Sequence, residues 1–214
     1  MKPYLLAIVG GSGSGKSRLA RKLLKEFGAR AGYICLDDFY KDQSHLPRRE
    51  RDAVNYDHPK VIDWKSFRFC LQTIARGKPV VLPSYDFNSH TRRPEPRPWQ
   101  PTPLVVVDGL WLLRHKVVRR IFNQTFFVDC PESVRLSRRL KRDQRERGRA
   151  AKSIRKQFME HVAPMHDRFV AGQTHHADLV LSSPVSNRQL VEIIEDIRKS
   201  LTTNGLGRLS QGKC

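Results

Sequence analysis

The sequence predicts an α/β fold in which helices cover both faces of a central, mostly parallel sheet. Short apolar runs recur along the chain and alternate with segments whose apolar residues follow a helical period. The first run, residues 4–9, is joined to the first helical segment by a glycine-rich loop, as in the strand–loop–helix units of parallel sheets. The length of 214 residues suits one domain. We assign that domain to residues 1–201 and predict a disordered tail at 202–214.

The loop after the first strand carries a phosphate-binding pattern, which is a glycine, any four residues and then Gly-Lys-Ser. Glycines let backbone N–H groups converge on an anion, and the helix that follows adds its positive end. A flexible Gly/Ser turn is the alternative, but the strand before and the helix after the loop disfavour it. Lys16 is placed to reach the outer phosphates of a nucleoside triphosphate, and the Ser17 hydroxyl to bind Mg²⁺. The loop residues are Gly10, Gly11, Ser12, Gly13, Ser14, Gly15, Lys16 and Ser17.

Two aspartates follow the second apolar run, residues 31–36. The carboxyl ends of parallel strands face the ligand crevice, so Asp37 and Asp38 arrive beside the phosphate loop. Adjacent strand residues point to opposite faces, and we therefore expect only one of the two carboxylates to reach the reacting centre. A pair of aspartates that caps the next turn is the alternative.

The middle of the chain predicts a loop, a helix and a small lobe. Residues 41–59 are polar and charged and are expected to form an ordered loop over the site. Apolar residues at helical spacing predict a helix over 61–75. A strand is predicted over 80–87. The prolines that follow exclude a central strand, so residues 84–103 are expected to form an exposed arm or hairpin.

A second strong signal is the β-branched run at residues 104–108, which ends in Asp108. Many buried strands end in an aspartate, so this run alone carries little weight. With a phosphate loop upstream, however, it is typical of the acid that partners the loop in binding Mg²⁺. Ser17 and Asp108 are therefore the predicted metal site.

The next strand, residues 125–130, precedes an arginine-rich helical segment. A solvated helix face is the favoured interpretation for most of these arginines. The position after a late strand, together with the break at Gly148, also suggests a helix–turn–helix lid over residues 135–156 that brings arginines onto transferring phosphates. A helix over 153–170, a strand at 178–181 and a closing helix over 187–201 complete the prediction.

The composition limits the partners and the compartment. The net charge of +19 implies an anionic ligand and keeps nucleic acid in consideration as a partner. No apolar run approaches the length of a membrane span, and the first strand starts too early for a signal peptide. The scattered cysteines are typical of reduced thiols in a cytoplasmic protein.

Five ordered blocks of the sequence carry a family resemblance. The chain resembles the uridine–cytidine kinases, within the wider uridine kinase and phosphoribulokinase group of P-loop kinases. The phosphate loop alone indicates only a superfamily, and the second, third and fourth blocks narrow the resemblance to nucleoside kinases. The blocks are Gly10 to Ser17, Asp37-Asp38-Phe39-Tyr40, Asn55-Tyr56-Asp57-His58-Pro59, Pro83-Ser84-Tyr85-Asp86-Phe87 with His90 and Arg92, and Arg138-Arg139 through Arg147-Gly148-Arg149.

The resemblance implies roles in phosphoryl transfer. Asp37 would accept the proton from the nucleoside 5′-hydroxyl, and Ser17 with Asp108 would hold Mg²⁺. The family usually has a glutamate where this chain has Asp108. The aspartate side chain is shorter, so we expect it to contact Mg²⁺ through a water molecule. With Lys16, the lid arginines would meet the phosphates of ATP or GTP. These are Arg142 as a nucleotide contact and Arg147 and Arg149 as catalytic residues.

The resemblance also implies a nucleoside pocket. Carboxylate, guanidinium and amide groups would surround the ribose hydroxyls, while two side chains would meet the pyrimidine edge and one aromatic ring its face. The ribose residues would be Asp57, Arg139 and Gln157, and the base residues Tyr85, His90 and, for the face, Phe87. Members of the family are commonly homotetramers.

We interpret the chain as an ATP-dependent kinase of the 5′-hydroxyl of uridine or cytidine. A P-loop kinase of another small alcohol or of a sugar phosphate is the nearest alternative, because extra arginines would suit a substrate that already carries phosphate. A nucleic-acid-binding protein on this fold is the second alternative. The basic stretch 135–156 supports it, but no aromatic-rich binding platform accompanies that stretch.

Overall fold

A parallel sheet forms the centre of the structure, a computed structural model that describes residues 2–95 and 97–206. The five strands of this sheet lie in the order β2–β7–β1–β8–β9, and every neighbouring pair is parallel. The predicted α/β fold with a parallel sheet is confirmed. In chain order the strands are β1 (Tyr4–Gly10), β2 (Ala31–Cys35), β3 (Val80–Leu82), β4 (Tyr85–Asp86), β5 (Thr91–Arg92), β6 (Arg97–Trp99), β7 (Leu104–Gly109), β8 (Gln124–Asp129) and β9 (Leu179–Ser182).

Helices cover both faces of the sheet because side chains of β1 alternate between two cores. Leu5, Ala7 and Val9 pack in the core that contains α3, and Leu6 and Ile8 pack in the core that contains α1 and α8. The helices are α1 (Lys16–Phe27), α2 (Arg48–Ala53), α3 (Trp64–Ala75), α4 (Lys116–Arg119), α5 (Glu132–Arg147), α6 (Ala151–Gln157), α7 (Ala163–Phe169) and α8 (Asn187–Leu206). Short 3₁₀ turns occupy Gly28–Arg30, Leu36–Phe39, Pro59–Val61 and Ala171–His176, and a π-helical turn occupies Phe158–Val162.

The structure corrects the sequence prediction in several segments. The expected loop at 41–59 contains the short helix α2, and α4 lies in a segment for which no helix was expected. The closing helix α8 continues to Leu206, so the predicted tail is wrong for 202–206, and residues 207–214 lie outside the described part. Short helices such as α2 are hard to find in a sequence because one or two turns give too few apolar positions to define a period.

The small lobe is a hairpin made of two short antiparallel ladders, β3 with β6 and β4 with β5. The prediction of one strand over 80–87 is wrong, because Pro83 and Ser84 separate β3 from β4. The lobe is tied to the main body by Arg92, which donates to the Tyr40 carbonyl at 2.9 Å and pairs with Asp63 at 3.1 Å. The hairpin therefore has a fixed position beside the carboxyl end of β2.

The arginine-rich segment forms a helix, a turn and a second helix. Helix α5 ends at Gly148, whose φ of +60° is the left-handed conformation that glycine adopts at helix ends. Helix α6 then runs through the π-helical turn into α7. The predicted helix–turn–helix is present, and its movement as a lid stays a prediction. Within residues 2–95 and 97–206, no helix is long and apolar enough to span a membrane.

Candidate active site

A cavity of about 490 Å³ opens between the carboxyl ends of the sheet strands, the hairpin and the α5–α6 turn. Most of the predicted site residues line this cavity. The phosphate loop contributes one wall, the hairpin a second and the arginine-rich helices a third. The predicted site residues that line the cavity are Ser12, Lys16, Ser17, Asp37, Asp57, Tyr85, Phe87, His90, Arg139, Arg142, Arg149 and Gln157.

The phosphate loop has a backbone that requires glycine. Gly13 and Gly15 have φ values of +81° and +101°, and a Cβ atom on Gly13 would lie 2.6 Å from the Arg135 carbonyl oxygen. Arg138 donates to the Gly13 and Ser14 carbonyls at 3.2 and 3.1 Å. The start of α5 thus supports the loop from behind. Lys16 opens helix α1 and lines the cavity, where a triphosphate would meet the positive end of that helix.

The predicted metal residues are in contact with each other. The Ser17 hydroxyl donates to Asp108 Oδ2 at 2.6 Å, and the Tyr33 hydroxyl donates to Oδ1 at 2.9 Å. Asp108 is fully buried at the end of β7, behind Ser17. Oxygen donors of this kind suit Mg²⁺, which is usually held by one or two protein groups together with phosphates and water. The described residues contain no cluster of three or more histidine, cysteine or acidic side chains that could hold a metal ion.

Asp37 and Asp38 have different environments, as expected. Asp37 lines the cavity, whereas Asp38 pairs with Arg97 of the hairpin at 3.0 Å. Both residues lie within the 3₁₀ turn Leu36–Phe39, so the geometry of this turn, and not the alternation of side chains along a strand, directs them apart. Within the described part of the chain, the buried Asp37 Oδ1 has no hydrogen-bond partner. Burial raises the pKa of Asp37 to about 6, and Lys16 opposes that rise.

Aromatic side chains form the hairpin side of the cavity. Tyr85 packs against Phe87 with ring centroids 5.5 Å apart. His90 stacks on Tyr56 at 4.4 Å with an angle of 11° between the rings. Tyr40 packs edge-on against Phe87 at 6.3 Å. A flat aromatic ring of a ligand would find both a face and an edge here, as a nucleobase requires.

A polar network lies opposite the aromatic wall. Arg139 approaches Asp57 at 3.9 Å and donates to Gln157 Oε1 at 3.0 Å, and Arg149 donates to the same oxygen at 2.7 Å. Burial raises the pKa of Asp57, and the Arg139 guanidinium opposes that rise. The structure thus brings together the carboxylate, guanidinium and amide that the resemblance implies for the ribose.

We expected most arginines of the α5 segment to lie on a solvated face, but three of them are turned towards the protein interior or the phosphate loop. Arg135 and Arg139 are only 2% and 6% exposed. Arg138 reaches the phosphate loop and also donates to the Ser183 hydroxyl at 2.8 Å. The start of α5 packs directly on the phosphate loop, and this long-range contact leaves no local trace in the sequence. The side chain of Arg147, which we predict to be catalytic, lies outside the described part.

Sequence reasoning missed several residues of the cavity. Tyr56 directly precedes Asp57, and Tyr40 ends the quoted block that begins with Asp37, so membership of these blocks is the sequence signal for both residues. Arg48 and Asp52 lie on α2, which was expected to be a loop, and they form an ion pair at 2.9 Å. The other cavity residues outside the prediction are Val54, Asn88 and Leu110.

Comparison with known proteins supports the relationship that the sequence blocks indicate. The model of the phosphoribulokinase/uridine kinase family matches residues 5–190. The chain belongs to this family. The uridine kinase of Staphylococcus epidermidis is 35% identical over 93% of this chain and 97% of its own. The uridine kinase of Streptococcus pyogenes is 37% identical over 90% of this chain and 93% of its own.

Solved structures show the same fold at low sequence identity. Phosphoribulokinase of Rhodobacter spheroides has a TM-score of 0.63 at 13% identity, over 88% of this chain and 74% of its own. D-glycerate 3-kinase of Cryptococcus neoformans has a TM-score of 0.60 at 16% identity, over 86% and 88%. The predicted P-loop kinase fold is confirmed, and membership of the phosphoribulokinase/uridine kinase family identifies the chain as a kinase.

Proposed function

We propose that this kinase transfers the γ-phosphate of ATP to the 5′-hydroxyl of uridine or cytidine. The observation that carries the proposal is one cavity that is lined by the phosphate-loop lysine, by an aromatic wall and by Asp37, whose buried Oδ1 has no hydrogen-bond partner among the residues that the structure describes. The relatives named uridine kinase, which align over nine-tenths of the chain, support the same substrate class. The alternatives of a sugar-phosphate kinase and of a nucleic-acid-binding protein lack comparable support.

In the proposed reaction, Asp37 accepts the proton of the 5′-hydroxyl while the hydroxyl oxygen attacks the γ-phosphorus in line. The bond from the γ-phosphorus to the bridging oxygen breaks, and ADP leaves with the electron pair. Lys16 and the guanidiniums of Arg142 and Arg149 offset the negative charge of the phosphates. Ser17 and Asp108 would hold Mg²⁺, which would supply further neutralisation of the charge on the phosphate oxygens. A pKa of about 6 keeps Asp37 ionised at neutral pH, so that it is ready to act as a base.

The nucleoside would lie between the aromatic wall of the cavity and the polar network opposite it. Asp57 accepts hydrogen bonds from the ribose hydroxyls in this arrangement, next to Arg139 and Gln157. Tyr85 and His90 meet the edge of the base. An imidazole nitrogen donates or accepts according to its tautomer, and His90 can therefore meet either uracil or cytosine. Phe87 covers the face of the ring.

Asp57→Ala is expected to reduce discrimination against 2′-deoxynucleosides. A largely buried carboxylate that has lost its hydroxyl partner disfavours the deoxy substrate, and removing the carboxylate removes this penalty. The ratio of kcat/KM for uridine to that for 2′-deoxyuridine should fall by at least about tenfold, because uridine loses a hydrogen bond and 2′-deoxyuridine is relieved of the penalty. Asp196→Ala, which removes an exposed carboxylate on α8, is the control. A variant at Asp57 that remains as selective as the wild type would exclude this role.

A coupled assay of ADP release tests the substrate class. The wild-type enzyme receives ATP and Mg²⁺ with uridine, cytidine, adenosine, ribulose 5-phosphate or glycerate. We expect efficient turnover of both pyrimidine nucleosides and at least about a hundredfold lower kcat/KM for the others. Preferred turnover of a sugar phosphate or of glycerate would overturn the proposed acceptor while leaving the phosphate loop assignment in place.

A further inference from the structure

A single buried carboxylate lies behind the arginine wall of the cavity. Asp143 is on α5, and its side chain is fully buried. Arg142 Nε donates to its Oδ1 at 2.8 Å, and Arg139 Nε lies 3.4 Å from its Oδ2. Arg149 Nη1 lies 3.9 Å from the same oxygen. Three guanidiniums thus surround one carboxylate.

All three of these arginines line the cavity, whereas Asp143 does not. Arg139 continues to Gln157 and to the Ser12 hydroxyl of the phosphate loop, the latter at 3.1 Å. Arg149 also reaches Gln157. The carboxylate is therefore placed on the far side of the guanidiniums from any substrate, where it can set their direction without touching the reacting groups.

The backbone of Asp143 connects the group of three arginines to the carboxyl end of α5. Its carbonyl oxygen accepts the N–H of Gly148, which caps α5, and the N–H of Arg149 at 3.2 Å. One residue therefore fixes the start of the turn through its carbonyl and the arginine side chains through its carboxylate. Replacing the carboxylate by an amide leaves the backbone contacts in place, so the two contributions are separable.

Electrostatics explains why a carboxylate is needed at this point. A buried carboxylate is costly unless it is paired, and three guanidiniums supply that pairing. Guanidiniums that converge on one cavity repel each other, and each long side chain loses rotamer freedom when it is held. A shared anion behind them offsets the repulsion and orders the side chains before a nucleotide arrives. Preorganised charge of this kind needs little rearrangement during phosphoryl transfer.

We propose that Asp143 is a positioning residue of this active site, which holds Arg139, Arg142 and Arg149 in the orientation that phosphate and ribose binding require. The inference rests on the proposed function for the identity of the substrates. Nucleotide binding should depend on Asp143 even without a nucleoside, because Arg142 and Arg149 are the proposed phosphate contacts.

The test is Asp143→Asn in the full chain, with two readouts. With ATP and uridine, kcat should fall by at least about tenfold because the guanidiniums lose their fixed direction. The dissociation constant of ADP, measured by calorimetry without nucleoside, should rise by at least about fivefold. Glu192→Gln is the matched control, since Glu192 accepts from Arg188 at 3.0 Å on the surface of α8. The control should remain within about twofold of the wild type in both readouts.

A double variant separates positioning from a merely structural role. If Asp143 acts through Arg142, the combined loss in Asp143→Asn with Arg142→Gln should be at least about threefold smaller than the product of the single losses. A loss of kcat equal to that product would overturn the proposal. The same conclusion follows if Asp143→Asn stays within about twofold of the wild type in both kcat and ADP binding.

Folding of the variants is followed by circular dichroism and thermal unfolding. If Asp143→Asn does not fold, Asp143→Glu replaces it, because glutamate keeps the buried charge but displaces the carboxylate by one methylene. A folded Asp143→Glu enzyme should still lose at least about tenfold in kcat, and wild-type kcat in that variant would overturn the proposal. If the wild type does not phosphorylate pyrimidine nucleosides, the proposed function fails, while ADP binding still decides the role of Asp143.

Discussion

Lys16→Ala is expected to abolish phosphoryl transfer while the fold remains. Lys16 is the phosphate-loop cation that lines the cavity at the start of α1, where it would meet the outer phosphates. Losing a charge that stabilises the transition state in a shielded site costs several kcal/mol, so kcat with ATP and uridine should fall by at least about a thousandfold. The side chain is partly exposed and lies outside the hydrophobic core clusters, and the thermal unfolding temperature should therefore change little.

Lys25→Ala is the matched control for that variant, because Lys25 is an exposed lysine in the last turn of the same helix. It should retain wild-type kcat. If Lys16→Ala instead turns over uridine within about threefold of the wild type, Lys16 does not contact the transferring group.

Asp37→Asn is expected to have the second largest effect. The amide keeps the shape of the side chain but cannot accept the proton of the hydroxyl, and kcat should fall by about 10²- to 10⁴-fold with little change in the KM of uridine. The pH profile gives a second readout. A base with a pKa of about 6 is ionised above that pH and protonated below it, so wild-type kcat/KM should fall as the pH drops below about 6. The residual activity of the variant should lack that acidic limb.

Asp38→Asn is the matched control for the base. Asp38 is turned away from the cavity and paired with Arg97, so its loss should be milder and should leave the acidic limb in place. Equal losses of kcat at Asp37 and Asp38, or an acidic limb that persists in Asp37→Asn, would contradict the assignment of the base.

The sheet, the phosphate loop and the proximity of Ser17 to Asp108 could be predicted from the sequence because their signals are local. Residues 4–17 contain the first strand, the phosphate loop and the start of the first helix. Once this pattern is known, the β-branched run that ends in Asp108 indicates a metal-binding acid. The resemblance then indicated residues far apart in the chain, such as Asp57, His90 and Gln157, and the structure places them around one cavity. Their individual roles stay proposals.

The parts that could not be predicted depend on long-range packing. A charge run on a helix is usually solvated, and nothing near Arg135 or Arg138 in the sequence shows that α5 packs on the phosphate loop. Asp143 resembles any surface acid in a charged helix until the fold buries it among three arginines. The break between β3 and β4 has a local cause in Pro83, yet the partners of the two strands, β6 for β3 and β5 for β4, are set by the return of the chain through the hairpin.

The most direct measurement compares uridine with 5′-deoxyuridine as acceptors for the wild-type enzyme, with ATP and Mg²⁺. ADP release is followed together with the mass and the phosphorylation position of the product. Transfer to the 5′-hydroxyl predicts one uridine 5′-monophosphate for each ADP released, and no ADP above background with 5′-deoxyuridine. Equal ADP release with the two nucleosides, or phosphate on the 2′- or 3′-oxygen, would contradict the proposed reaction.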